Sequence, residues 1–78
     1  MKLADDQRAA LGVLAASVRG RTESLMLAHG FAIGMLHGLV RDGLATAVRE
    51  PAYYNRRAVL VTMMEITDAG CRALNDAS

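Results

Sequence analysis

The sequence predicts a small α+β domain, and three observations carry that expectation. Apolar residues recur at helical spacing through the first half, two strand-like runs follow, the second rich in Val, Leu, Thr and Met, and a Thr-Asp pair opens one last helical stretch. At 78 residues the chain has room for one domain. A chain of this size buries only about 60 to 65% of its unfolded surface.

The first element is read from Leu3, Gln7, Leu11, Leu14 or Ala15, and Val18, which fall at spacings of three and four. Arg8, Ser17 and Arg19 lie off that stripe, so an amphipathic helix over residues 5–18 is expected, with Asp5 and Asp6 favourably placed at the positive end of its dipole. Gly20 breaks the run. Thr22 can then accept from the free amides of a second helix, Glu23 suits its first turn, and Gly30 stands where a left-handed terminator belongs. A third helix follows at once, because Phe31, Met35, Leu39 and Ala32, Leu36, Val40 form two adjacent rows. Steps of 100° leave Ile33, Gly34, His37, Gly38 and Arg41 on its opposite, outward side.

Asp42-Gly43 closes that helix-turn-helix stretch, residues 22–42, and a hairpin is expected over 44–66. Its first strand runs from Leu44 to Glu50, with Leu44, Thr46 and Val48 facing one way; a long tip holds Pro51, Asn55, Arg56 and Arg57; the second strand is Ala58 to Ile66. With Ile66, Met64, Thr62 and Leu60 toward the core, Val59, Val61 and Met63 point outward, and an outward apolar row calls for a partner. Thr67-Asp68 caps a terminal helix over 67–76, in which Cys71 beside Leu74 reads as a small buried hydrophobe.

Composition narrows the function classes. A hydrophobic fraction of 53%, 22% charged residues and a mean hydropathy of +0.19 exclude a disordered chain, and with 4% aromatics and no Trp the core must be aliphatic. One cysteine makes no intramolecular disulfide, and with two histidines it does not supply a zinc site, so no metal or cofactor is expected. His29 and His37 read as solvated polar residues. The amino terminus carries Asp5 and Asp6 where a signal peptide would carry its apolar stretch, so a cytoplasmic, reducing compartment is the expectation. Residues 24–40 are uncharged, but two histidines, three glycines and a turn at Gly30 argue against a membrane span. Ser24, His29, His37, Asp42 and Cys71 lack the spacings of a nucleophile elbow, a phosphate loop or a ligand set, so the chain is expected not to be an enzyme.

The net charge of +1 is unevenly spread. Between Arg19 and Arg57 six arginines (19, 21, 41, 49, 56 and 57) face only Glu23, Asp42 and Glu50, so the middle of the chain is its basic part.

Three stretches carry a family likeness. Leu27-Ala28-His29-Gly30-Phe31 leads into Leu39-Val40-Arg41-Asp42-Gly43-Leu44-Ala45; Asn55-Arg56-Arg57 precedes the apolar run Ala58-Val59-Leu60-Val61; and Ile66-Thr67-Asp68-Ala69-Gly70 closes the hairpin. In this order and spacing the chain resembles the MarR-like winged helix-turn-helix proteins over about residues 22 to 74. Asn55 stands where that family usually has Asp, and Met63-Met64-Glu65 lengthens the second strand before Ile66. The long terminal helices by which MarR proteins dimerise are minimal here, so that mode of pairing is not implied.

The resemblance implies three helices, a two-stranded wing and a short terminal helix, used to bind double-stranded DNA as a transcriptional regulator or accessory factor. It assigns His37 and Arg41 to the groove-facing helix, Arg56 and Arg57 to the wing with Tyr53 and Tyr54 beside them, and Arg19 and Arg21 to phosphate contacts ahead of the second helix. So few phosphate contacts call for two copies on one duplex, and a homodimer is expected. The alternative is a protein-interaction or assembly module without DNA binding, with Val59, Val61 and Met63 as its interface.

Overall fold

A computed structural model describes residues 2–76. The described residues form an α+β domain in the order α1 (Asp5–Ala15), β1 (Arg21–Thr22), α2 (Glu23–Ala28), α3 (Ile33–Arg41), β2 (Ala45–Tyr54), β3 (Arg57–Ile66) and α4 (Asp68–Asp76). The strands make one antiparallel sheet in the order β1-β3-β2. Leu11, Leu14, Met26, Leu36, Leu39 and Met64 are its largest fully buried side chains, so one aliphatic core joins the first three helices to the sheet.

Local chemistry sets the helix ends. The Gln7 side chain accepts from the Ala4 amide at 2.9 Å, one half of a capping box at the start of α1. The Thr22 hydroxyl accepts from the Leu25 amide at 3.1 Å and caps α2. Both α2 and α3 end in the same device. Gly30 (φ 95°) and Gly43 (φ 78°) take the left-handed conformation. The amides of Gly30 and Phe31 return to the carbonyls of Leu27 and Met26, as those of Gly43 and Leu44 return to Val40 and Leu39.

Helix α1 is shorter than the periodicity implies. It stops at Ala15, not residue 18, because the Ser17 hydroxyl donates to the Val13 carbonyl and the Ser17 amide turns back to Leu14. Val18 is therefore fully exposed and no part of the apolar stripe. The early stop also delivers Gly20 (φ 75°) against the Met64 carbonyl, where a Cβ would collide with backbone. That close approach lets Arg21 and Thr22 pair with Met64 and Met63, adding a third strand.

The hairpin tip is tight where a long one is expected. Strand β2 continues through Pro51 to Tyr54, and Asn55 (φ 49°) and Arg56 (φ 68°) alone make the turn, both in the left-handed region as a type I′ turn requires. Pro51 fits because β2 is an edge strand and Pro51 opposes Leu60. Counting alternate pairs from the tip makes that a non-hydrogen-bonded pair, so the ladder loses no donor.

The register divides the hairpin into two faces. Ala45, Ala47, Arg49, Pro51 and Tyr53 share the inner, core-side face with Ile66, Met64, Thr62, Leu60 and Ala58; Thr46, Val48, Glu50, Ala52 and Tyr54 share the outer face with Glu65, Met63, Val61, Val59 and Arg57. Only the base of the inner face reaches the core, through Ala45, Met64 and the half-buried Ile66. Leu60, expected to face the core, lies beyond its reach and is 62% exposed. The domain is accordingly elongated, at 45 × 22 × 20 Å.

In α4 it is Gly70 and Ala73 that are buried, with Leu74 half-buried. That spacing turns Cys71 outward, so the expected buried thiol is an exposed one.

Candidate nucleic-acid interface

Helix α3 presents the side that the spacing predicts. Leu36 and Leu39 are buried and Met35 and Val40 half-buried, while Ile33, Gly34, His37 and Arg41 are exposed; Gly38, expected outward, is half-buried, and Ala32, expected on the apolar row, is exposed as the residue that precedes the first turn. His37 Nε2 lies 3.3 Å from Glu23 Oε2, which links this outer face to the first turn of α2; the contact is an ion pair only when the imidazole is protonated. Arg41 Nε lies 3.7 Å from the Asp42 carboxylate. Its guanidinium folds back along its own helix, 3.5 Å from where a Cβ at Gly38 would be, an ordinary van der Waals distance.

Arg19 and Arg21 sit at the start of the sheet. Arg21 Nε donates to the Ser17 hydroxyl at 2.6 Å, so the turn that ends α1 also positions this guanidinium; Arg19 is exposed in that turn. Arg56 occupies the second turn position of the hairpin, and Arg57 begins β3 on the outer face opposite Tyr54. Tyr53 and Tyr54 are exposed, on opposite faces.

The fold thus gathers the six expected residues into three groups, not one patch. Arg19 precedes β1 and Arg21 opens it, His37 and Arg41 lie on α3, and both groups are at the base of the hairpin, since β1 pairs with Met63 and Met64 and α3 leads into β2. Arg56 and Arg57 stand at the far end of the ten-residue strands, roughly 20 to 30 Å away at the rise of an extended chain. Between them the structure places a residue that sequence reading leaves out of the site. Arg49 is exposed on the inner face of β2, opposite Thr62, two positions from Pro51 and four from Tyr53. Strand alternation identifies it once the turn is placed at Asn55-Arg56. With a long tip, that register is not available.

Among the described residues, no acid pairs with Arg19, Arg49, Arg56 or Arg57. The described residues form no pocket and hold no group of three His, Cys, Asp or Glu side chains placed to bind a metal ion. No described helix is long and apolar enough to cross a membrane.

The row Val59, Val61 and Met63 lies on the outer face as expected. Val59 is 45% exposed and Val61 and Met63 are half-buried, with Val48, 52% exposed, paired beside Met63.

Comparison of the chain with known protein families, with curated proteins and with solved structures gives no match. What stands from the structure alone is an α+β domain with four helices and a three-stranded antiparallel sheet among its described residues.

Proposed function

We propose that this chain is a winged helix-turn-helix protein that binds double-stranded DNA, with α3 as the groove-facing helix and the β2–β3 hairpin as the wing. The observation that carries the reading is the succession of an exposed α3 face and a projecting hairpin whose Arg49 and Arg56 have no acidic partner among the described residues. A helix that shows its polar side to solvent fits the major groove, and unpaired guanidiniums suit phosphate oxygens.

The chemistry of the face sets the kind of binding. Of its exposed side chains only His37 and Arg41 can make directional bonds to base edges, so sequence readout rests on two residues. Affinity then comes mainly from phosphate contacts by Arg19, Arg21, Arg49 and Arg56, which release counterions and make binding steeply dependent on salt. A regulator or accessory factor with modest intrinsic specificity is the role this supports.

The test is fluorescence anisotropy of a labelled mixed-sequence duplex at several salt concentrations, beside an Arg49→Ala/Arg56→Ala variant. Four phosphate contacts correspond to a log–log salt slope of about −3.6, and the variant should lower its magnitude by about 2. A folded wild type with no binding at low salt overturns the proposal. The exposure of Val48 and Val59 favours a second reading, an assembly module that binds protein and not DNA.

A further inference from the structure

We propose that the outer face of the hairpin is a two-fold interface with a second copy of this chain, β3 stacking antiparallel on its counterpart about Val61. The outward residues of β3 are Arg57, Val59, Val61, Met63 and Glu65, an apolar centre with opposite charges at its two ends and Val61 midway. A two-fold axis through Val61, perpendicular to the strand, sets Arg57 against Glu65 of the second copy and Val59 against its Met63. The same rotation sets Val48 on β2 against Ala52 of the second copy. A parallel arrangement would instead oppose Arg57 to Arg57 and Glu65 to Glu65.

Two further observations select a second copy as the occupant. Neither Arg57 nor Glu65 has an ionic partner among the described residues, and eight residues of extended strand hold them about 27 Å apart, so they do not satisfy each other within one chain. The pattern also reads the same under the two-fold rotation once charge signs are exchanged, the self-complementarity an isologous contact needs. None of the ten outer-face residues is fully buried, so the face is available. Glu50 meets Glu50 of the second copy across the axis, the one like-charge contact of the pairing, and it lies exposed on an edge strand where water and salt screen it. A face of roughly 30 by 10 Å falls below the ~800 Å² per partner of a standard interface, so the pairing is reversible and concentration-dependent.

The interface is independent of DNA binding and is tested without DNA, so failure of one proposal is distinguishable from failure of the other. Sedimentation equilibrium of the full chain should show a monomer–dimer equilibrium. Arg57→Glu and Glu65→Arg should each raise the dissociation constant on the order of tenfold, and Arg57→Glu/Glu65→Arg together should return it toward the wild type. Both side chains are exposed, and unchanged circular dichroism and melting temperature would show that each variant is folded. A wild type that stays monomeric at about 500 μM, above the range expected for so small an interface, overturns the proposal. Single variants that dimerise as the wild type does, or a double variant no better than either single one, overturn it equally.

Discussion

The Thr67 hydroxyl donates to the Gly43 carbonyl at 2.7 Å and accepts from the Gly70 amide at 3.0 Å. One side chain therefore caps α4 and ties it to the turn that ends α3, and the Thr67 amide adds a bond to the Leu44 carbonyl at 3.1 Å. The end of α3 and the end of the hairpin are held together at this point. The base of the hairpin is thus pinned beside the last turn of α3. Replacing Thr67 with Val keeps the shape and removes both hydroxyl bonds. We expect a loss of about 1–2 kcal/mol in urea unfolding, the usual cost of a lost cap and its partner bond.

Glycines at three positions should separate two physical effects. At Gly30 and Gly43 a Cβ would meet nothing, so alanine there costs only the left-handed backbone, about 1 kcal/mol or slightly more. At Gly70 a Cβ would collide with the Leu44 carbonyl and crowd Ile66, and neither α4 nor the Leu44 backbone moves without breaking the Thr67 bonds. Gly70→Ala should therefore cost more, about 2–3 kcal/mol. Equal losses at the three sites in denaturant titrations would contradict this account.

Arg56 tests fold against binding. Its φ of 68° is unfavourable for a side-chain-bearing residue, and Asn-Gly is the preferred pair for a type I′ turn. Arg56→Gly should raise stability by about 0.5–1 kcal/mol in thermal melts. The same change removes one unpaired guanidinium from the hairpin tip, so the DNA binding proposed above should weaken and its salt slope should fall by about 1.

Met64 joins the sheet to the helices. It is fully buried on the inner face of β3, opposite Ala47 on one side and Arg21 on the other. Met64→Ala should destabilise by about 2–5 kcal/mol, enough to unfold much of so small a domain, as read by circular dichroism. Leu60→Ala, at an equally large side chain on the same face, should change stability by less than about 1 kcal/mol, because the hairpin has left the core at that level.

Much of the helical half is legible in local chemistry. Thr22, Gly30 and Gly43 announce the ends of α2 and α3, and the rows through Leu36 and Leu39 fix which side of α3 faces out. The hairpin is less so. Pro51 reads as a turn residue in isolation, and nothing nearby says that an edge position with no donor to lose will accept it. Asn55-Arg56 lacks the glycine that marks a tight turn, so the tip is drawn too long and Arg49 misses its place on the inner face. The two-residue β1 carries no periodicity at all.

The sequence by itself determined the order of the four helices and the two long strands, though not β1, the outward side of α3 and the basic bias of the middle of the chain. Each of these depends on neighbours within one or two turns, where backbone conformation and side-chain spacing act directly. Only the tertiary structure decided how far the apolar rows reach into the core. Val18 and Leu60 repeat at the right spacing and still lie in solvent, because α1 has ended at Ala15 and the chain then turns toward Met64, and because the hairpin outruns the helices. The separation of the arginines into a base group and a distant tip likewise follows from strand register. A register is fixed by pairing between distant segments, and residue types along one strand do not specify it.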